Sequence, residues 1–256
     1  MVTRRGAFKT RVGLSGATSR QRRWLRRVAS GLVLLLAVSL APVLALRFLD
    51  PPTSAVMLAR QWEMRGDPGF ALRQEWRDLD DIAPELASAL VAAEDQRFPH
   101  HSGFDFDAIS AVVAARGQRA RLRGASTISQ QVAKNLFLWN GRSWLRKGIE
   151  AYYTIAIELF WPKRRILEVY ANIAEFGDGI HGAQAASQHF FGRDADRLDA
   201  RQAALLAAVL PSPRRLHADA PTPYLLRRRE WIQRQMRQLG GPDWLAECCG
   251  IEGRAR

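Results

Sequence analysis

Between Val28 and Leu46 the chain runs through nineteen residues, VASGLVLLLAVSLAPVLAL, without a charged side chain. As a helix rising about 1.5 Å per residue, this run covers the ~30 Å hydrocarbon core of a bilayer. No other feature limits the chain so strongly. It predicts an N-terminal transmembrane helix over residues 28–47, a polar arm before it and a separate domain after it. Pro42 falls inside the run, where it predicts a kink of the kind membrane helices tolerate. The competing reading is a cleaved signal peptide, whose apolar region is shorter and ends at small residues. Ala45-Leu46-Arg47-Phe48 is a poor cleavage site, so an uncleaved anchor is expected.

The arm accounts for most of the charge. The formal net charge of the 256 residues is +13. Residues 1–27 hold nine basic side chains and no acidic one, which leaves +4 over residues 28–256. A nucleic-acid binder spreads its basic surface over a folded face. Here the excess lies directly before the apolar run, so no nucleic-acid partner is expected. By the positive-inside rule residues 1–27 form a cytoplasmic basic arm, and residues 48–256 an extracytoplasmic domain. With 47% hydrophobic and 25% charged residues, the composition excludes a disordered chain. Cys248 and Cys249 are sequence neighbours. Adjacent residues rarely adopt disulfide geometry, so neither a disulfide framework nor a cysteine metal site is expected.

After Pro51-Pro52 the apolar residues recur at helical spacing and no long alternating strand pattern is present, which predicts an all-α domain. Helices are expected from Pro84 through PELASALVAAEDQ and from Asp105 to Arg116, followed by a polar, basic loop, RGQRARLRGA. Thr127 with Gln130 forms a capping box for a helix through Leu138. Further helices are expected over Ser143–Phe160, Pro162–Ile173, Asp199–Leu210 and Pro223–Leu239.

Four clusters carry candidate chemistry. In EDQRFPHHSGFD, Glu94 and Asp95 end an apolar helix, where a carboxylate's charged form is disfavoured and its pKa rises, as a general base or acid requires. The alternative is a pair of solvated helix-end charges. A metal site at His100, His101 and Asp105 is disfavoured, because adjacent His residues cannot easily share one ion. In GASTISQQVAKN, Gly124 and the hydroxyls of Ser126 and Thr127 open a helix whose N–H groups suit an anion or sugar. Gln130, Gln131, Lys134 and Asn135 add a broad polar face of a kind that suits sugar hydroxyls. In RSWLRKGIEAYYTIAIELF, Arg146 and Glu150 lie four apart on an apolar helix, as a structural ion pair or as functional charges. Arg142 and Lys147 add positive charge that fits a phosphate. In the fourth, KRRILEVYANIAEFGDGIHG, Glu168 and Asn172 share a helix face and can buttress the fold as well as touch substrate. Between the second and third, Trp139, Trp144 and Leu145 stand beside Arg and Lys, a mixture favoured at a bilayer interface, with ordinary core as the alternative.

Taken together, in this order, the clusters resemble the peptidoglycan glycosyltransferases, glycosyltransferase family 51. The pattern E-D-x-x-F-x-x-H-x-G-x-D falls on Glu94, Asp95, Phe98, His101, Gly103 and Asp105. G-x-S-T-x-x-Q-Q-x-x-K-N falls on Gly124, Ser126, Thr127, Gln130, Gln131, Lys134 and Asn135. R-K-x-x-E is Arg146, Lys147 and Glu150, and I-L-E-x-Y-x-N runs from Ile166 to Asn172. The match spans about residues 75–235, with Ala171, Ala174 and Glu175 as small departures.

The resemblance implies a lysozyme-like helical lobe with a small membrane-associated jaw. It implies polymerisation of lipid II into β-1,4-linked glycan, with the growing lipid-linked chain as donor and lipid II as acceptor. Glu94 is then the general base, and Glu150 a second catalytic carboxylate near the donor diphosphate. Lys134, Arg142 and Arg146 would neutralise the leaving diphosphate. Asp95, Ser126, Thr127, Gln130, Gln131 and Asn135 would line the sugar and phosphate groove. A divalent cation, Mg²⁺ or Mn²⁺ near Glu150, is implied by the family and not by any ligand spacing. Other implied partners are the bilayer and the cell-wall synthesis machinery. No Ser-x-x-Lys or Lys-Thr-Gly element is present, so polymerisation without cross-linking is expected. The alternative is a lysozyme-like lytic transglycosylase that cleaves glycan.

Overall fold

The computed structural model describes residues 19–114, 126–141 and 143–253. The whole expected basic loop, residues 116–125 with Gly124, and also Arg142, lie outside the described residues. The elements run α1 (Ser19–Leu46), α2 (Ala55–Glu63), β1 (Arg73–Gln74), α3 (Pro84–Glu94), α4 (Phe106–Ala114), α5 (Ile128–Phe137), α6 (Trp144–Phe160) and α7 (Lys163–Ile173). Then follow β2 (Glu175–Gly177), β3 (Ile180–His181), α8 (Ala183–Phe191), α9 (Ala200–Val209), α10 (Pro223–Gln238) and α11 (Ala246–Cys249). The chain forms two compact units, Met1–Pro42 and Val43–Arg256.

Helix α1 is long and apolar enough to cross a bilayer. It is longer than the apolar run, because it also takes in Arg20–Arg27, and it continues through Pro42. The last four carbonyls of a helix lack intrahelical donors. Here the Val43 carbonyl accepts from Trp161 Nε1 at 2.7 Å, and the Leu46 carbonyl from Arg165 Nε at 3.1 Å. Arg165 also binds the Leu49 carbonyl at 2.6 Å and Asp50 at 2.9 Å.

In the second unit the expected helices form with ends shifted by a residue or two. Pro84 and Pro223 occupy the first turns of α3 and α10, where a missing N–H costs nothing. Helix α3 is almost wholly buried from Leu86 to Ala92 and packs against α9 and α10. Helix α9, AALLAAV over Ala203–Val209, is buried along its length, and its small residues let neighbouring backbones approach. Helices α5, α6 and α7 pack together beside them. Their buried charges are paired: Lys163 Nζ donates to Glu158 at 2.8 Å and to the His101 carbonyl at 2.6 Å, while Ser129 also donates to Glu158.

Four elements were not expected, the short α11 after α10 among them. Helix α2 follows the Pro-Pro break, and α8 runs between Gly182 and the left-handed C-cap Gly192. A three-stranded sheet has β3 at its centre, parallel to β1 and antiparallel to β2. Its strands are two or three residues long, too short to show an alternating pattern. Gly179, at φ +71°, closes the β2–β3 turn under the Phe70 ring.

Candidate active site

The site is built where α3 ends and α5 begins. Asp95, the C-cap of α3, accepts from the Ile128 N–H at 2.9 Å and so caps the start of α5. His101 Nε2 holds the same carboxylate at 2.9 Å. The expected capping box is present: Thr127 accepts from Gln130 N–H, and the Gln130 side chain accepts from Thr127 N–H at 3.0 Å. The Thr127 hydroxyl donates to the Gly103 carbonyl at 2.7 Å. Gly103 itself has φ +88°, and a Cβ there would lie 2.8 Å from Thr154 Cγ2, so this joint between loop and helices requires glycine. Asp95, Thr127 and Gln130 are all buried, and each has a side-chain oxygen bonded into the framework.

Thr127→Ala removes both the cap and the tie to Gly103. It should cost about 1–2 kcal/mol, read as a lower thermal midpoint in detergent, and Thr127→Ser should restore it.

With this framework fixed, two adjoining cavities open along α5. One, of about 670 Å³, is lined by Glu94, Ser126, Gln131, Lys134, Tyr224, Arg228 and Trp231, among others. The other, of about 300 Å³, is lined by Gln131, Lys134, Asn135, Trp139, Arg146, Tyr170 and Arg214, among others. Gln131 and Lys134 line both.

Glu94 keeps 19% of its side-chain surface open. It accepts from Gln131 Nε2 at 3.0 Å and from Arg228 at 3.4 Å. Gln131 is oriented in turn by the Tyr170 hydroxyl, which donates to its carbonyl at 3.2 Å. Burial pushes the Glu94 pKa above the ordinary carboxylate value. The bond from Gln131 and the charges of Arg228 and Lys134 oppose that rise, and neighbouring Asp95 adds to it. Burial lowers the Lys134 pKa, opposed by Glu150 and Glu94 and reinforced by Arg146. Lys134 is therefore coupled to both candidate carboxylates.

Glu150 is 3% exposed, and both of its oxygens are taken on its own helix. Arg146 Nη1 binds one at 3.2 Å and Lys147 the other. Among the described residues no three His, Cys, Asp or Glu side chains converge. The carboxylate expected near a divalent ion already has two cationic partners.

Of the expected site residues, the structure brings Glu94, Ser126, Gln131 and Lys134 to one cavity, and Asn135 and Arg146 to the adjoining one. Asp95 also borders the first and, with Glu94, Ser126 and Thr127, lines a further cavity of about 280 Å³, while Gln130 is tied into the framework. Glu168 and Asn172 buttress the fold: Glu168 accepts from the Leu79 N–H, and Asn172 exchanges two bonds with the Arg77 backbone. Arg228 was missed. It lies in the run RRRE of a strongly polar helix, which reads as a solvated face, and only the packing of α10 on α3 turns it towards Glu94. The Tyr224–Arg228 spacing of one helical turn was the available signal.

A buried carboxylate with raised proton affinity lines one cavity and the cations Lys134 and Arg146 line the adjoining one, an arrangement that can take a proton and receive an anion. Residues 64–237 match the family model described as Transglycosylase. The chain is 60% identical to the biosynthetic peptidoglycan transglycosylase of Xanthomonas campestris pv. campestris strain B100, over 88% of this chain and 93% of that protein. It is 57% identical to the protein of the same description from Xanthomonas oryzae pv. oryzae strain KACC10331, over 90% of this chain and 94% of that one. For the Xylella fastidiosa strain 9a5c protein, also so described, the identity is 57% over 87% and 92%. The chain belongs to the transglycosylase family.

Proposed function

We propose that this protein is a peptidoglycan glycosyltransferase that polymerises lipid II by displacing the polyprenyl diphosphate of a growing glycan chain. The observation that carries this reading is the shared wall of Gln131 and Lys134 between a cavity holding Glu94 and a cavity holding Arg146. The acceptor occupies the first and the donor diphosphate the second. Glu94 takes the proton of the acceptor's 4-hydroxyl as its oxygen attacks the donor's anomeric carbon. The bond from that carbon to the diphosphate oxygen breaks, and the α-linked donor becomes a β-linked product in one inversion. Lys134 and Arg146 receive the charge on the departing diphosphate, and Arg142 adds to them. Such fixed charges act where negative charge develops. Glu150 holds Arg146 and Lys147 in place rather than meeting the sugar.

The catalytic unit sits on the outer face of the inner membrane, with α1 spanning it once and the N-terminus in the cytoplasm. Trp144 is 94% exposed, and Leu145, Leu159 and Phe106 are each more than 70% exposed, whereas Leu136 and Leu138 are core. These exposed apolar side chains rest in the bilayer as the jaw, where the lipid-linked substrates lie. Other cell-wall synthesis proteins are partners of the anchored enzyme.

A base of raised pKa gives the pH profile a sign. The charged form of Glu94 is required, so turnover should fall as pH drops through a value above the ~4.3 of an ordinary glutamate. The acid limb of kcat, measured with lipid II in detergent, reports it. A glycan-cleaving enzyme needs no cation cavity beside its acid. Purified glycan strands should therefore remain intact in the presence of the protein, and their cleavage would favour the lytic reading.

A further inference from the structure

Helix α11 places the chain's two cysteines side by side, away from both cavities. Neither is in a disulfide, and their sulfurs are 2.7 Å apart. That is closer than non-bonded sulfurs normally stand, and about 0.7 Å longer than an S–S bond. The two are not equivalent. Cys249 is 2% exposed, whereas Cys248 is only half-buried. The backbone around them is held: the Cys249 carbonyl accepts from Arg164 Nη1 at 2.9 Å, and Gly250 ends the helix in the left-handed region at φ +63°. The bond between the two thiols holds the Cys248 pKa down against burial, with help from the charge of Lys163. The same bond, together with burial, pushes Cys249 up. The outer thiol is thus the more easily ionised and the inner one keeps its proton.

We propose that Cys248 and Cys249 form a two-electron dithiol/disulfide pair, closed through their shared peptide bond by exchange with an external disulfide. The Cys248 thiolate attacks one sulfur of the oxidant R–S–S–R, forming a mixed disulfide and releasing RS⁻. The Cys249 sulfur gives up its proton and attacks Cys248 Sγ, closing the ring and releasing the second RS⁻. The protein loses two electrons and two protons, and the oxidant leaves as two thiols. Adjacent position argues against a disulfide from sequence alone; the close approach of the two sulfurs is the observation that favours closure. The proposal is independent of the glycosyltransferase reading.

The test uses the full-length protein in detergent, reduced and then incubated with oxidised glutathione. Free thiols are blocked with iodoacetamide, and the tryptic peptide that follows Arg237 is read by tandem mass spectrometry. The expected peptide carries neither alkyl group nor glutathione, lacks two hydrogens, and becomes doubly alkylated after reduction. Cys249→Ser should stop at a stable glutathione adduct on Cys248, because the resolving sulfur is gone. Cys248→Ser should leave the buried Cys249 without glutathione. The proposal is overturned if both wild-type cysteines remain alkylatable, if glutathione stays on Cys248, or if oxidation gives cross-linked dimers instead. The wild-type arm decides alone should either variant fail to fold.

Discussion

Glu94→Gln should lower the rate of glycan polymerisation by about 10²- to 10⁴-fold, the usual contribution of a positioned general base. The substitution keeps the volume of the side chain at the end of α3, and the new amide oxygen can still accept from Gln131. What it removes is the ability to take a proton. The loss should fall on kcat, with KM for lipid II little changed, because proton transfer belongs to the transition state and not to binding. Arg228 loses its ionic partner, so a small drop in stability is expected alongside. Turnover within a few fold of the parent would remove Glu94 from this role.

That Glu94 stood out in the sequence follows from its setting: a charged residue at the end of the apolar run ELASALVAA departs from helical core patterning in a way periodicity can detect. The capping box at Thr127 and Gln130 was legible for a similar reason, since its chemistry is local and spans four residues. Locality also marks where sequence reading stops. Asp95, Thr127 and Gln130, which the family resemblance assigns to the sugar and phosphate groove, also join α3, α5 and the Gly103 loop, while Asp95 and Thr127 keep a side on the cavities beside Glu94. Polarity alone does not say which way a side chain points. Arg228 lies 134 positions from Glu94 and meets it only through tertiary packing. The sheet escaped because register between two-residue strands is set by the turns around Gly179 and not by any repeat.

Lys134→Met should show a second, distinguishable signature. The Met side chain keeps much of the apolar stem of Lys134 and removes the charge from the wall shared by the two cavities. Loss of one preorganised charge at a developing anion costs about 10²- to 10³-fold in kcat. The pH profile should move as well. Lys134 now pulls the Glu94 pKa down, so without it Glu94 holds its proton more tightly and becomes neutral at higher pH. The acid limb should therefore shift upward in the variant. A rate loss with an unmoved limb would mean that Lys134 acts on the diphosphate without coupling to the base. An unchanged rate would remove it from the donor site.

The most direct test supplies the full-length protein, in detergent, with lipid II labelled in the sugar and in the lipid. If a carboxylate-activated hydroxyl displaces the diphosphate, β-1,4-linked polymer should accumulate while one polyprenyl diphosphate appears for every bond formed, and both should slow together by about 10²- to 10⁴-fold with Glu94→Gln. Free disaccharide-peptide released by water, or lipid II recovered intact from the unaltered protein, would contradict the account.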